Sequence, residues 1–228
     1  MLKDWSTIVR VTDNRRAGVS GIEKEVKERM KQFPPCHDWW HIERVRNLGR
    51  HIAIAERADI YIVDLTLLLH DVNDLKFQKG NALFSAHVAR EVMQRHGVRS
   101  SVVTNEVCDI IAAMSFRNGK NPMPTLEGKV AQDADMLDAM GAIGIARVFT
   151  TGAYKNQPIF TPGEHRRTSE EMLLLSMGPP STIAHFHEKL LLLKKRMNTR
   201  EGKRLAKRRH ATLSKFLYRF HQEWKLEE

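Results

Sequence analysis

Residues with metal-ligand chemistry recur in three short segments: His41, the adjacent pair His70-Asp71, and Asp133-Ala134-Asp135. Two imidazoles and two carboxylates would form a mixed N/O donor set. Such a set suits Mn, Fe, Co, Ni or Zn better than Ca, and the lack of thiolates argues against a structural zinc site. With two coordination positions open, an ion held this way lowers the pKa of a bound water and polarises a phosphoryl oxygen. Each residue also has a bland reading. A lone inward His is commonly a hydrogen-bonded core residue, an HD dipeptide is common, and an acidic run is commonly a solvated face. The surroundings weaken the bland readings. His41 shares a helix face with Val45, Leu48 and Ile52, so it points inward. His70-Asp71 closes the apolar run IYIVDLTLLLH, which puts Asp71 at the edge of a core, where a carboxylate needs a partner or a metal. Asp135 and Asp138 share a face while Asp133 points elsewhere. Met136, Leu137 and Met140 make that helix at least half buried.

The elements that must position these residues read almost entirely as helix. Ser20-Gly21-Ile22-Glu23 has capping-box spacing and predicts a helix to about residue 32, ended by Phe33-Pro34-Pro35. Asp38 is predicted to cap the next helix. Residues 60–70 read as a buried helix rather than a buried strand, because the neighbours are helical and no partner strand is evident. A loop follows over 73–81, then helices over 82–96, 101–116 and 126–140, separated by Gly97 and residues 117–124. Residues 152–168 form a polar loop, long enough to be functional. Pro179-Pro180-Ser181-Thr182 starts a helix to about 197. A last amphipathic helix spans 201–224 and carries Leu205, Leu213, Phe216, Leu217 and Phe220. With no repeat and no linker, the expectation is one all-α domain.

Composition is consistent with this. The chain has 228 residues, 42% hydrophobic and 28% charged, which argues against wholesale disorder. No apolar run approaches the roughly 20 residues of a membrane span, and the N-terminus lacks a signal-peptide stretch. Two distant cysteines argue against a disulfide scaffold and fit a reducing cytoplasm. The net charge is +10, but 13 Lys and Arg against 5 Asp and Glu lie in residues 181–228, so the excess belongs to the C-terminal segment.

The order His41, His70-Asp71, Asp135 resembles the H…HD…D signature of the HD-domain metal-dependent phosphohydrolases. Residues 37–45 (HDWWHIERV), 67–74 (LLLHDVND), 130–147 (VAQDADMLDAMGAIGIAR) and 183–204 are similar to one subfamily, the small bacterial HD hydrolases of the YedJ/YpgQ type. The likeness covers about residues 20–224. It implies an orthogonal helical bundle around a single divalent cation: one HD domain over 1–228, with its core at about 20–150 and C-terminal helices at about 168–228 packing on it. It also implies His41, His70, Asp71 and Asp135 as ligands, the last from the pattern Ala134-Asp135-Met136-Leu137, with Asp133 as the alternate.

Further roles follow from the same resemblance. Asp74 would orient or activate the attacking water, or else form a turn with Asn73. His37 would protonate the leaving group, or else serve as a capping residue or stand behind the ligands. Lys76 would offset phosphate charge, with Arg147 and Arg166 or Arg167 as further cations, and Tyr154 and Lys155 would meet a base or sugar. The family also includes di-iron oxygenases with extra histidines, for which His87 and His96 are the available residues; a His at a helix C-terminus explains His96 without a metal.

The implied activity is hydrolysis of nucleoside or deoxynucleoside triphosphates to monophosphate and pyrophosphate. The expected cofactor is one divalent cation, Mn foremost, with Fe, Co, Ni, Zn and Mg as alternatives. The expected setting is a cytoplasmic monomer or homodimer with a small phosphorylated substrate and no membrane partner. A different class of reading is a nucleotide- or nucleic-acid-binding module with a structural or vestigial metal site, motivated by REGKRLAKRR at 200–209. Against it, no aromatics are interleaved there, and Leu205, Leu213 and Leu217 read as helix packing.

Overall fold

The computed structural model describes residues 13–72, 82–114, 123–164 and 180–227; among them every regular element is helical. The chain divides into two compact units, Met1–Phe33 with His37–Ala134, and Pro34–Cys36 with Asp135–Glu228. The division falls inside one helix.

In the first unit, α1 (Asp13–Met30) starts seven residues before the expected cap. Ser20 is an exposed mid-helix residue, and Glu23, its supposed capping partner, accepts a hydrogen bond from Arg46 at 3.0 Å. The helix ends ahead of the prolines as expected, and a 3₁₀ turn covers Pro35–His37. α2 (Trp39–Glu56) is capped by Asp38 and closed by Arg57 in left-handed geometry. α3 (Ile60–Leu69) confirms the helical reading of the apolar run; nine of its ten residues are buried. α4 (Ala82–Arg95) ends at Gly97, whose φ of +79° suits glycine. α5 (Ser101–Ala113) is capped by Ser100, and α6 (Leu126–Asp138) completes the unit through Ala134. The core is built from fully or nearly fully buried Ile22, Val26, Ile42, Val45, Ile52, Leu65, Leu68, Met93, Val107, Ile110 and Val130.

α2 and α3 run antiparallel at very close range. A Cβ added at Gly49 would stand 2.2 Å from Leu67 Cδ1 and 3.1 Å from Val63 Cγ1, so a larger residue there would force the helices apart. A buried ion-pair network ties them together. Arg46 Nε and Nη2 donate to the two oxygens of Asp64 at 3.0 and 2.9 Å, and Arg50 reaches Asp64 at 2.8 Å. Arg46 Nη1 extends the network to Glu23 of α1. Burial acts to raise the Asp64 pKa, but Arg46 and then Arg50 outweigh it and hold the carboxyl below its ordinary value.

The second unit contains α7 (Gly141–Tyr154), α8 (Thr182–Glu188), a 3₁₀ stretch over Leu190–Arg196 and α9 (Arg200–Lys225). α7 covers residues 141–151, to which the sequence alone assigns no element, and the first residues of the expected loop at 152–168. Its glycines serve packing: Cβ atoms at Gly144 and Gly152 would collide with the Ala139 carbonyl and with Thr182 Oγ1. The single helix expected to run to 197 is instead broken at Lys189, where φ is −134° and ψ −59°. Phe186 and Phe216 stack at 5.6 Å, with Phe149 edge-on to Phe216 at 5.8 Å, and Phe160 meets Trp224 at 4.9 Å.

Removing one partner of a buried pair leaves the other charge uncompensated. Asp64→Ala is therefore expected to cost about 3–5 kcal/mol in urea unfolding, whereas the double variant Arg46→Met/Asp64→Leu recovers much of that loss. A single-variant loss below about 1 kcal/mol would show that the network does not brace the unit.

Candidate metal centre

The first turn of α2 carries His41. Asp38 fixes that turn by accepting from the His41 backbone N–H at 3.2 Å. His37 lies in the 3₁₀ turn just before the cap, so it is not a helical neighbour of His41; even so, the two rings pack edge-on at 5.7 Å. His70 occupies the C-cap of α3, and Asp71 follows it in the turn. His70 keeps helical backbone angles, yet the two adjacent side chains meet at the helix end, with His70 Nε2 3.4 Å from Asp71 Oδ2.

Three imidazoles converge on one atom of the fourth residue. Asp71 Oδ2 lies 3.3 Å from His41 Nε2, 3.4 Å from His37 Nδ1 and 3.4 Å from His70 Nε2. The His41 side chain is 1% exposed and that of Asp71 14%. Burial acts to raise the Asp71 pKa. The charge of His70 and the hydrogen bonds from His37 and His41 outweigh it and hold the carboxyl well below the carboxylate range.

His70 shows what this geometry demands. Its Nδ1 lies 2.8 Å from the Leu67 carbonyl oxygen, which can only accept, so Nδ1 carries a proton. As a neutral metal ligand the ring would turn its Nε2 lone pair toward the cluster, 3.4 Å from Asp71 Oδ2; with no ion bound, a second proton on Nε2 makes the ring a cation that faces the carboxylate. An N–H donated to a backbone carbonyl is also the arrangement that fixes the tautomer of a metal-bound imidazole. His37, His41 and Asp71 each offer a ligand atom within 4.8 Å of the others, spacing that can hold a metal ion. The residues therefore fit a borderline divalent cation.

The acidic run on α6 is no solvated face. Asp133 is fully buried, Asp135 half-buried, and Asp138 is 1% exposed and holds Arg147 at 2.9 Å. Arg147 is thus engaged by a buried carboxylate. Tyr154, the last residue of α7, is 56% exposed, and Lys155 follows it, also exposed. Asp74, Lys76, Arg166 and Arg167 lie outside the described residues. His87 is exposed and pairs with Glu91, and His96 meets Glu25 of α1 at 2.8 Å. Both are accounted for within their own surroundings. Sequence reasoning missed the Arg46–Asp64–Arg50 brace, although one acid inside an otherwise apolar helix was a signal for it.

Comparison with known proteins identifies the family. The HD domain family model matches residues 39–140, which contain His41, His70, Asp71 and Asp135. The Bacillus subtilis protein YpgQ is 36% identical over 185 residues, 79% of this chain and 81% of YpgQ. A crystal structure of YpgQ in complex with ADP matches with a TM-score of 0.72 at 28% identity, covering 92% of this chain and 96% of that one. An HD-superfamily hydrolase from Bacillus thuringiensis matches at 0.71 and 31% identity, over 92% and 98%. A Lactobacillus plantarum structure reaches 0.78 at 30% identity, over 95% and 99%. The helical fold and the His-Asp cluster at a helix end define an HD-domain hydrolase, of the metal-dependent phosphohydrolase class. Within that class the chain belongs to the YpgQ-like subfamily. No helix among the described residues is long and apolar enough to cross a membrane.

Glu25 provides a pH test of the α1–α4 contact. Burial works against ionisation, but hydrogen bonds from His96, Arg95 and Arg29 bring its pKa down to about 2. A carboxyl depressed in the folded state stabilises fully above its unfolded value of 4.5, and that stability disappears as pH falls toward 2. Glu25→Gln should therefore be less stable than wild type in urea unfolding near neutrality, with the difference vanishing at about pH 2. A difference independent of pH would refute the assignment.

Proposed function

We propose that this chain hydrolyses nucleotides, releasing pyrophosphate from nucleoside or deoxynucleoside triphosphates, with a divalent cation held by His41, His70, Asp71 and Asp135. The observation that carries the reading is the convergence of three imidazole nitrogens on Asp71 Oδ2 at 3.3–3.4 Å. Asp135 is chosen over Asp133 because its carboxylate is half-buried and so accessible to an ion, whereas Asp133 is wholly enclosed. The ADP bound to YpgQ supports a nucleotide as the substrate class. Mn(II) is the proposed metal, since imidazole with carboxylate suits it and phosphates bind it well.

When bound, the ion supplies a water of lowered pKa and a Lewis acid for a phosphoryl oxygen. The chain's own residues do the rest. Asp71 stays ionised because its imidazole neighbours hold it so. His70 is held in one tautomer by the Leu67 carbonyl, which leaves Nε2 aimed at the cluster. In this reading His37, whose spacing to His41 and Asp71 would also let it reach the ion, gives a proton to the leaving oxygen. Asp74 orients the water, and Lys76 offsets phosphate charge. Tyr154, Arg147 and Arg166 are secondary substrate contacts in this reading, Arg147 being drawn on the least because Asp138 already holds it.

Two measurements test this. After chelation and reloading with Mn(II), the wild type should retain about one ion per chain, and His70→Ala or Asp71→Ala far less, with the helical circular dichroism preserved. Full retention by either variant would remove the ligand assignment. In a screen of triphosphates and monophosphates with phosphate and pyrophosphate assayed separately, metal-dependent pyrophosphate release should fall at least about 1000-fold in Asp71→Ala. Orthophosphate from monophosphates alone would make the enzyme a nucleotidase instead.

A further inference from the structure

The second unit ends in a helix with two chemically opposite faces. α9 is 26 residues long, about 39 Å. Gly202, Ala206, Leu213 and Leu217 are its buried residues. At about 100° per residue they lie on one side. The opposite side carries Arg200, Lys203, Lys207, Arg208, Lys215 and Arg219, all exposed. These six fall within a sector of roughly 160° and extend over about 28 Å.

Residues 200–219 hold eight Lys and Arg against one acid, Glu201. That acid is already used by Arg204, which donates to both its oxygens at 2.7 and 2.6 Å. The eighth cation, Arg209, does not belong to the outer face: it donates to the Leu137 carbonyl, and burial lowers its pKa. Folding thus sorts the cations. The outer row is regular and almost without carboxylates.

We propose that this row is a docking surface for the phosphate backbone of duplex nucleic acid, bound without regard to sequence. Charge complementarity selects the occupant. Duplex DNA carries a charge every 1.7 Å or so of axis, enough to meet a cationic row of this length. A membrane surface fits less well, because Leu213 and Leu217 are turned into the protein core and the exposed large apolar residues, Tyr218 and Trp224, lie only toward the end of the helix. Single-strand stacking fits less well too: one exposed aromatic residue, Tyr218, lies near the far end of the outer face, and none is interleaved among the cations from Arg200 to Lys215. The proposal draws on none of the residues assigned to hydrolysis, so its failure would leave the nucleotide reading untouched.

The test is fluorescence anisotropy of the full chain with a labelled random-sequence duplex of about 20 base pairs, titrated from about 50 to 300 mM salt. The wild type should bind with a log–log salt slope of about −5, as six phosphate contacts require. The variant Arg200→Glu/Lys203→Glu/Lys207→Glu/Arg208→Glu should bind at least about tenfold more weakly at about 50 mM salt, with a slope reduced by about 3 to 4. Its thermal unfolding and metal-dependent hydrolysis should match the wild type. If that variant misfolds, Lys203→Gln/Lys207→Gln with Lys215→Gln is measured in its place and should halve the slope. No wild-type binding at low salt, unchanged binding by the folded variant, or binding to phosphatidylglycerol vesicles but not to the duplex would each overturn the proposal.

Discussion

The bidentate contact between Arg46 and Asp64 is the constraint on which the first unit depends. It joins two antiparallel helices one to two turns away from His41 on one and from His70-Asp71 on the other. Neither ion could be buried alone, since an isolated charge in a low-dielectric core is very costly. Paired with each other, and joined by Arg50 and Glu23, they form an electroneutral group of two guanidinia and two carboxylates. A bidentate Arg–carboxylate contact is directional, so it sets the relative register of the helices as well as their proximity. Gly49 lets them approach closely enough for that contact to form.

Register is what turns three separated sequence positions into one site. With α2 and α3 fixed antiparallel, the start of one meets the end of the other. His41 occupies the first turn of α2 and His70-Asp71 the last of α3, so both lie at that junction. At that helix end the adjacent side chains of His70 and Asp71 meet. The 3₁₀ turn before Asp38 adds His37 from the incoming chain. The result is a carboxylate surrounded by imidazoles, held ionised and largely shielded from water. This arrangement is hard to justify as core packing and simple to justify around a cation.

The second unit solves a different problem. Its core relies on stacked aromatics and on glycines at close contacts, and its last helix turns Leu213 and Leu217 inward and six cations outward. Much of the chain's net positive charge therefore lies on this last helix, and six of its cations face outward together. A net charge alone says nothing about such sorting; the direction in which α9 packs decides it.

The sequence by itself determined the helical class, most helix positions and the chemistry of the cluster. Those follow from local causes: apolar spacing, the Asp38 and Ser181 caps, the stop at Phe33-Pro34, and the short motif around His70-Asp71. Local signals failed where tertiary contacts override them. Ser20-Gly21-Ile22-Glu23 has the spacing of a cap, yet Glu23 is held by Arg46 from another helix. The glycines of α7 lower its helix propensity, yet close packing against Ala139 and Thr182 requires them. Tertiary structure alone decided that Asp64 pairs with Arg46, that His96 turns to Glu25, and that His37 joins Asp71. Each is a contact between residues 18 or more positions apart, and no periodicity along the chain encodes which distant partner will neutralise a buried charge.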